Sequence, residues 1–123
     1  MSDFKVAQRE AENVNVLDLK GYLDAHTAPK LEEAFQNLLA ARRFNIVVNC
    51  RELSYISSAG LGVFMAYIED VRKNSGDIKL SNMSPKVYNV FDLLGFPLLY
   101  EIFKDENEAV KRFFEKTQKQ PKA

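Results

Sequence analysis

The chain has 123 residues, which is enough for one domain with one modest hydrophobic core. Its 17 basic and 17 acidic side chains balance, so the composition gives no electrostatic reason to expect a nucleic acid or an anionic membrane as a partner. The only cysteine, Cys50, lies in an apolar run and is expected to be a small buried side chain. No segment approaches the roughly 20 apolar residues of a membrane span, and no signal-type run is found, so a cytoplasmic location is expected.

The first half of the chain predicts two strands, a helix and a third strand. FKVAQRE and VNVLDLKGYL are β-rich runs, and the polar residues between them suit a hairpin turn. TAPKLEEAFQNLLAA places apolar residues at helical spacing, and Thr27 is its predicted cap. The run FNIVVNC is nearly continuously apolar, which is typical of a strand buried on both faces of a sheet.

The second half predicts three more helices and two more strands. A helix is predicted from about Gly60 to Asn74, followed by the short strand IKLS. SPKVYNVFDLLGF then predicts a helix, LLYEIF a strand, and DENEAVKRFFEKTQK a final helix. The side chains expected to dock the last two helices are Val87, Val90, Phe91 and Leu94, and Val110, Phe113 and Phe114.

The element order is therefore β-β-α-β-α-β-α-β-α. Strand–helix–strand units of this length imply parallel pairing with right-handed crossovers, because only a crossover connection can return the chain to a parallel neighbour. The prediction is an α/β fold, with a mostly parallel or mixed sheet of four or five strands and helices packed on it.

The sequence offers no recognisable catalytic site. His26 is the only histidine, and its position before a helix is typical of a surface or capping residue. There is no cysteine and histidine cluster with metal-ligand spacing and no phosphate-binding loop. The segment SSAGLG lacks the flanking glycines of a nucleophile elbow. We therefore expect no enzyme activity, no metal and no cofactor.

The serine pair Ser57 and Ser58 lies between a predicted strand and a predicted helix. Ser58 can cap that helix, and a cap contributes about 1 kcal/mol, so capping alone would explain a serine there. The helix that follows has more apolar residues than are needed for one buried face. Val63, Met65 and Tyr67 fall outside that face. This surplus indicates either a protein-binding surface or a helix enclosed between the sheet and a neighbouring helix.

The serine loop is one of four segments that form a recognisable set. In chain order they are GYLDAHTAPKLEEAF, the strand end VVN, LSYISSAGLGVFM and LSNMSPKVYNVFDLLGF. Together they resemble the bacterial anti-sigma factor antagonists, which are single-domain STAS proteins. The resemblance covers about Phe4 to Phe114, nearly the whole chain.

The resemblance implies a mixed sheet of four or five strands with about four helices packed mainly on one face. Residues 1–115 would form the STAS domain, and residues 116–123 a flexible C-terminal tail. It also implies a binding module that, when unphosphorylated, binds an anti-sigma factor that is a GHKL-type serine kinase. Phosphorylation of the family's serine would end that binding, and a serine phosphatase would reset the switch. Neither a nucleic acid nor a membrane is implied as a partner.

By position, Ser58 matches the phosphorylated serine of the family. Ser57 stands where the family usually has aspartate, and Ala59 where it has serine or threonine, so Ser57 is the alternative phosphoacceptor. Asn49 is predicted to hold the serine loop through side-chain hydrogen bonds. The predicted partner-binding residues are Asp24, Thr27, Ser57, Ser58, Ala59, Gly60, Leu61, Gly62 and Val63.

Two other interpretations assume the same fold but a different biological role. The chain could be a partner-switching module that controls a process other than sigma-factor release. It could also be a non-phosphorylated STAS subunit of a transport or sensory assembly. The serine at position 58 argues against the second of these, because such a subunit has no need of a phosphoacceptor.

Overall fold

The computed structural model describes residues 4–115, and these form a five-stranded sheet with helices on both faces. The predicted tail at 116–123 lies outside the described residues. The strands are β1 (Phe4–Ala11), β2 (Val14–Leu23), β3 (Asn45–Ile56), β4 (Asp77–Ser81) and β5 (Ile102–Phe103). The helices are α1 (Ala28–Ala40), α2 (Ser58–Lys73), α3 (Pro85–Leu93), α4 (Glu106–Glu115) and a short 3-10 turn (Phe96–Leu98).

The strands lie in the order β1-β2-β3-β4-β5, with β1 antiparallel to β2 and the other neighbours parallel. Helices α1, α2 and α3 cover one face of the sheet and enclose the larger core. Of the helices within residues 4–115, only α4 packs on the other face, where Val110 and Phe113 cover Val14, Val16 and Val47. The predicted α/β mixed sheet, with most of its helices on one face, is confirmed.

Strand β3 is longer than the sequence predicted, because it continues from Cys50 to Ile56. Its pairing with β2 slips between Asn49 and Glu52, and again between Leu53 and Tyr55, each time with one extra residue on β3. Each slip is a β-bulge, which interrupts the alternation of buried and exposed side chains. The interrupted alternation made this half of β3 resemble a loop.

The segment predicted as the strand LLYEIF is mostly a turn. Gly95 ends α3 in the left-handed region at φ 78°, and a 3-10 turn follows before the two residues of β5. Two of the side chains predicted to dock helices, Leu94 and Phe114, are instead exposed. Leu94 lies at the cap of α3, where the chain turns back, so it leaves the apolar face of that helix.

Candidate functional site

The predicted phosphoacceptor lies where β3 ends and α2 begins, in residues 57–62, here called the serine loop. Leu23 pairs with Ile56 at the ends of β2 and β3, so the residues after each strand leave the sheet side by side. The backbone N–H of Ser57 donates to the carbonyl of Leu23 at 2.9 Å. This edge, at the carboxyl ends of parallel strands, is where binding sites of α/β proteins commonly lie.

Ser57 is the residue that caps α2. Its backbone is extended at φ −102° and ψ 175°, and its Oγ accepts a long hydrogen bond from the backbone N–H of Gly60, at 3.4 Å. Its carbonyl accepts the first intrahelical bond, from the N–H of Leu61 at 3.0 Å. The prediction that Ser58 would cap the helix is therefore wrong, because α2 begins two residues earlier than the apolar pattern indicated.

Ser58 occupies the first helical position of α2, and its side chain is exposed. Ala59 and Gly62 are also exposed, so small residues surround the hydroxyl group. The first turn of α2 contains no acidic residue. No carboxylate of that turn therefore neutralises the unpaired N–H groups and the positive end of the helix dipole. The loop thus offers an accessible hydroxyl at a position that favours negative charge.

The two glycines of the serine loop have different roles. A Cβ on Gly60 would lie 2.8 Å from Cγ of Leu23 and 3.0 Å from Cγ1 of Ile56. A Cβ on Gly62 would have no atom within 4 Å. Gly60 therefore lets the start of α2 lie directly against the ends of β2 and β3, whereas Gly62 is at the open surface.

Four residues predicted to contact a partner are buried in this structure. The side chains of Leu61 and Val63 are each only 3% exposed and belong to the core, and Gly60 and Thr27 are also buried. Leu61 and Val63 therefore pack in the core, and a contact of any of these four residues with a partner stays a prediction. The predicted residues that remain at the surface are Asp24, Ser57, Ser58, Ala59 and Gly62.

Asp24 and Thr27 form a closed turn beside the serine loop. The Oδ1 atom of Asp24 accepts from the N–H groups of His26 at 3.0 Å and Thr27 at 3.1 Å. The hydroxyl of Thr27 accepts from the N–H of Asp24 and donates to the carbonyl of Tyr22. Thr27 is the N-cap residue of α1, as predicted, but its side chain makes no capping hydrogen bond. The N–H bond from Thr27 lowers the pKa of Asp24, so this carboxylate is charged at neutral pH.

Asn49 lies away from the serine loop, on the face that α4 covers. Its Nδ2 donates to Oε1 of Glu106 at 2.9 Å, and its Oδ1 accepts from the N–H of Arg51 at 2.8 Å. Arg9 also bonds Glu106 and holds the pKa of that carboxyl below its ordinary range, with Asn49 contributing less. The prediction that Asn49 supports the serine loop is therefore corrected: its side chain fastens the start of α4 to the sheet.

A pair of tyrosines near the ends of β2 and β3 was not predicted. Tyr22 and Tyr55 are paired in register one residue before the strand ends, and their ring centroids are 5.7 Å apart. Both are about half exposed. The sequence alone did not predict that the two rings lie side by side, because the two bulges in β3 change the face of the sheet on which Tyr55 lies.

Cys50 is fully buried, and burial raises the pKa of its thiol to about 12. The thiol is thus protonated at neutral pH, as expected of a small core residue. Within residues 4–115, no three His, Cys, Asp or Glu side chains are grouped to hold a metal ion. No helix in this part of the chain is long and apolar enough to span a membrane.

A family model described as the STAS domain matches residues 5–109. The chain belongs to the STAS domain family. Among curated relatives, the anti-sigma-B factor antagonist of Bacillus subtilis is 30% identical to this STAS domain over 100 residues, covering 81% of this chain and 91% of the relative. The protein of the same description from Listeria monocytogenes is 27% identical over 104 residues, covering 85% and 90%.

Solved structures agree with the fold of this STAS domain. The unphosphorylated form of the anti-sigma factor antagonist SpoIIAA superposes with a TM-score of 0.74 at 21% identity, covering 98% of this chain and 100% of that one. The phosphorylated form of the Bacillus cell fate determinant SpoIIAA gives 0.67 at 23% identity, covering 89% and 98%. At these identities the likeness shows the fold alone.

Proposed function

We propose that this STAS domain is an anti-sigma factor antagonist that works by partner switching. In the unphosphorylated state it binds an anti-sigma factor that is also a serine kinase, and phosphorylation of Ser58 ends the binding. The relatives named as anti-sigma-B factor antagonists support the role. The observation that carries the proposal is the exposed hydroxyl of Ser58 at the first position of α2, beside a helix cap supplied by a different serine.

The choice of Ser58 over Ser57 follows from what each hydroxyl does in the fold. Ser57 is half-buried and its Oγ accepts the N–H of Gly60 at the helix cap. A kinase would have to break that cap to reach it. Ser58 is exposed and holds no cap, so transfer of a phosphate to its Oγ leaves the start of α2 intact.

A phosphate on Ser58 adds a charge of about −1.5 to −2 at neutral pH. The dipole and unpaired N–H groups at the start of α2 stabilise negative charge there. The phosphorylated domain therefore stays folded, and the modification acts on binding rather than on the structure of the domain.

The added charge weakens binding at the interface with the partner. A partner that covers Ser58 must take the phosphate out of water, next to a turn in which the Asp24 carboxylate is already ionised. Since each 1.4 kcal/mol is a factor of about ten in affinity, a penalty of a few kcal/mol is enough to release the partner.

The test combines intact-mass spectrometry with a binding measurement against candidate GHKL-type serine kinases. With ATP and the right kinase, the wild-type chain gains a single phosphate, and its affinity for the kinase falls by about a hundredfold or more. Ser58→Ala remains unmodified and bound. Ser57→Ala is the matched control, and it is still phosphorylated because Ser58 is untouched.

A phosphorylated domain that binds its kinase as tightly as the unmodified one would refute the switch. Phosphate on Ser57 in the wild-type chain would refute the assignment to Ser58. A serine phosphatase that removes the phosphate should restore binding. Release of a sigma factor from the same kinase in a reconstituted mixture would separate sigma control from another output.

A further inference from the structure

Four leucines at the end of α3 and in the turn that follows it are exposed to solvent. Leu93 is 84% exposed, Leu94 58%, Leu98 90% and Leu99 46%. They flank the turn through Gly95 within seven consecutive residues, and they are here called the leucine patch. The proposed switch at Ser58 makes no use of them.

The backbone that carries the leucine patch is held by aromatic rings beneath it. Phe96 stacks on Tyr100 with ring centroids 5.3 Å apart, and Phe91 meets Phe96 edge-on at 5.2 Å. The hydroxyl of Tyr100 donates to the carbonyl of Phe64 in α2 at 2.7 Å. The leucines are therefore presented on a fixed support, which reduces the ordering cost of binding.

The size of the leucine patch fits a protein interface. At these exposures four leucines present on the order of 400 Å² of apolar surface, as large as the main apolar patch of a typical monomer. A standard interface takes about 800 Å² from each partner, and a little more than half of it is apolar. The leucine patch therefore supplies most of the apolar centre of one such interface.

The charge of the leucine patch suits a second copy of the same chain. No charged side chain lies between Leu93 and Leu99, so two such patches meet without like-charge repulsion. The edge of the patch carries one acid, Asp92, directly before it, and one base, Arg72, which donates to Asp77 and to the carbonyl of Leu99. The whole chain has 17 charges of each sign, so no net repulsion opposes the approach of two copies.

We propose that this STAS domain forms a two-fold symmetric homodimer through the leucine patch. A two-fold interface brings the same patch of each copy together, which requires a surface that is complementary to itself. An uncharged group of leucines edged by one acid and one base meets that requirement.

The dimer leaves the serine loops free. Arg72 contacts Leu99 near the carboxyl end of α2, whereas Ser58 begins that helix. At 1.5 Å per residue these two residues are about 20 Å apart along the helix. The dimer therefore presents two separate serine loops, and its existence does not depend on the phosphorylation switch.

The test is the mass in solution, measured by sedimentation equilibrium and light scattering from low micromolar to near-millimolar concentration. We expect a monomer–dimer equilibrium for the wild-type chain. The double variant Leu93→Glu, Leu98→Glu should raise the dissociation constant by more than about tenfold, because each copy would bring unpaired carboxylates into the interface. Phe114→Glu is the control, since Phe114 is exposed on α4, and it should dimerise like the wild type.

All variants replace exposed side chains, so thermal unfolding should show that each is folded. A wild-type chain that stays monomeric up to near-millimolar concentration overturns the proposal. A dimer that survives Leu93→Glu, Leu98→Glu with unchanged affinity overturns it as well, because the contact would then lie elsewhere. Kinase binding by the monomeric double variant tests the phosphorylation switch separately from the dimer.

Discussion

The serine loop and the leucine patch are both exposed segments beside the end of a helix, but they are held in different ways. The serine loop is held by backbone hydrogen bonds and by the close approach at Gly60 to the ends of β2 and β3. The leucine patch is held by aromatic rings that anchor its backbone from below. In both segments, most of the contacts that maintain the shape are made by buried residues, whereas Ser58 and the four leucines face solvent.

This difference allows binding and folding to be changed separately. An exposed residue in either segment contributes little to the free energy of unfolding, because its side chain is hydrated in the folded and in the unfolded protein. The buried residue next to it contributes much more. The four predictions below measure this separation by chemical denaturation, from the largest expected effect to the smallest.

Phe91→Ala should have the largest effect. Phe91 is fully buried and packs edge-on against Phe64 and Phe96, so its removal leaves a cavity and should lower the free energy of unfolding by about 3–5 kcal/mol. Leu98→Ala, a few residues away and 90% exposed, should change it by less than about 0.5 kcal/mol. Similar losses in the two variants would mean that the leucine patch is itself part of the core.

Gly60→Ala should come next. Its new methyl group would lie 2.8 Å from Cγ of the buried Leu23, so α2 must move, at a cost of about 1–3 kcal/mol. Gly62→Ala has free space and removes a flexible residue from a helix, so it should stabilise by about 0.5–1 kcal/mol. Equal effects at the two glycines would contradict the close approach at Gly60.

Gly95→Ala tests the turn of the leucine patch. Gly95 adopts φ 78°, where a Cβ is disfavoured, and no atom within 4 Å would otherwise obstruct the methyl group. The expected loss is about 1 kcal/mol, from backbone strain alone. A loss of several kcal/mol in urea unfolding would show that the turn contributes to packing as well.

Ser57→Ala should have the smallest effect. It removes the cap of α2, but the hydrogen bond to Gly60 is long, so we expect a loss of about 0.5–1 kcal/mol. Ser58→Ala should change the free energy of unfolding by only a few tenths of a kcal/mol, since its hydroxyl holds no cap. If Ser58→Ala lowered the free energy of unfolding more than Ser57→Ala, Ser58 and not Ser57 would be the cap of α2.

The sequence was sufficient to predict the order of the elements, the mixed sheet and the family. These features depend on hydrophobic periodicity and on motif spacing, and both are local signals. The serine loop was located for the same reason. The identity of the capping serine was missed because the apolar pattern of α2 becomes clear only after its first turn.

The other differences arise from contacts that the local sequence does not encode. The bulges in β3 concealed the pair formed by Tyr22 and Tyr55, since the face of a strand residue depends on its partner strand. Asn49 was assigned to the serine loop because the length of β3 was underestimated. Leu94 was placed in the core because a helical pattern does not show where the helix ends.

The contact between Arg9 and Glu106 also has a consequence for how the chain is made. These residues are 97 positions apart, and the contact fastens α4 over the valines on its face of the sheet. During synthesis, that apolar surface stays uncovered until α4 has left the ribosome. Contacts at such long separation form slowly, and uncovered strands are prone to aggregation. The nascent chain is therefore most vulnerable just before α4 emerges.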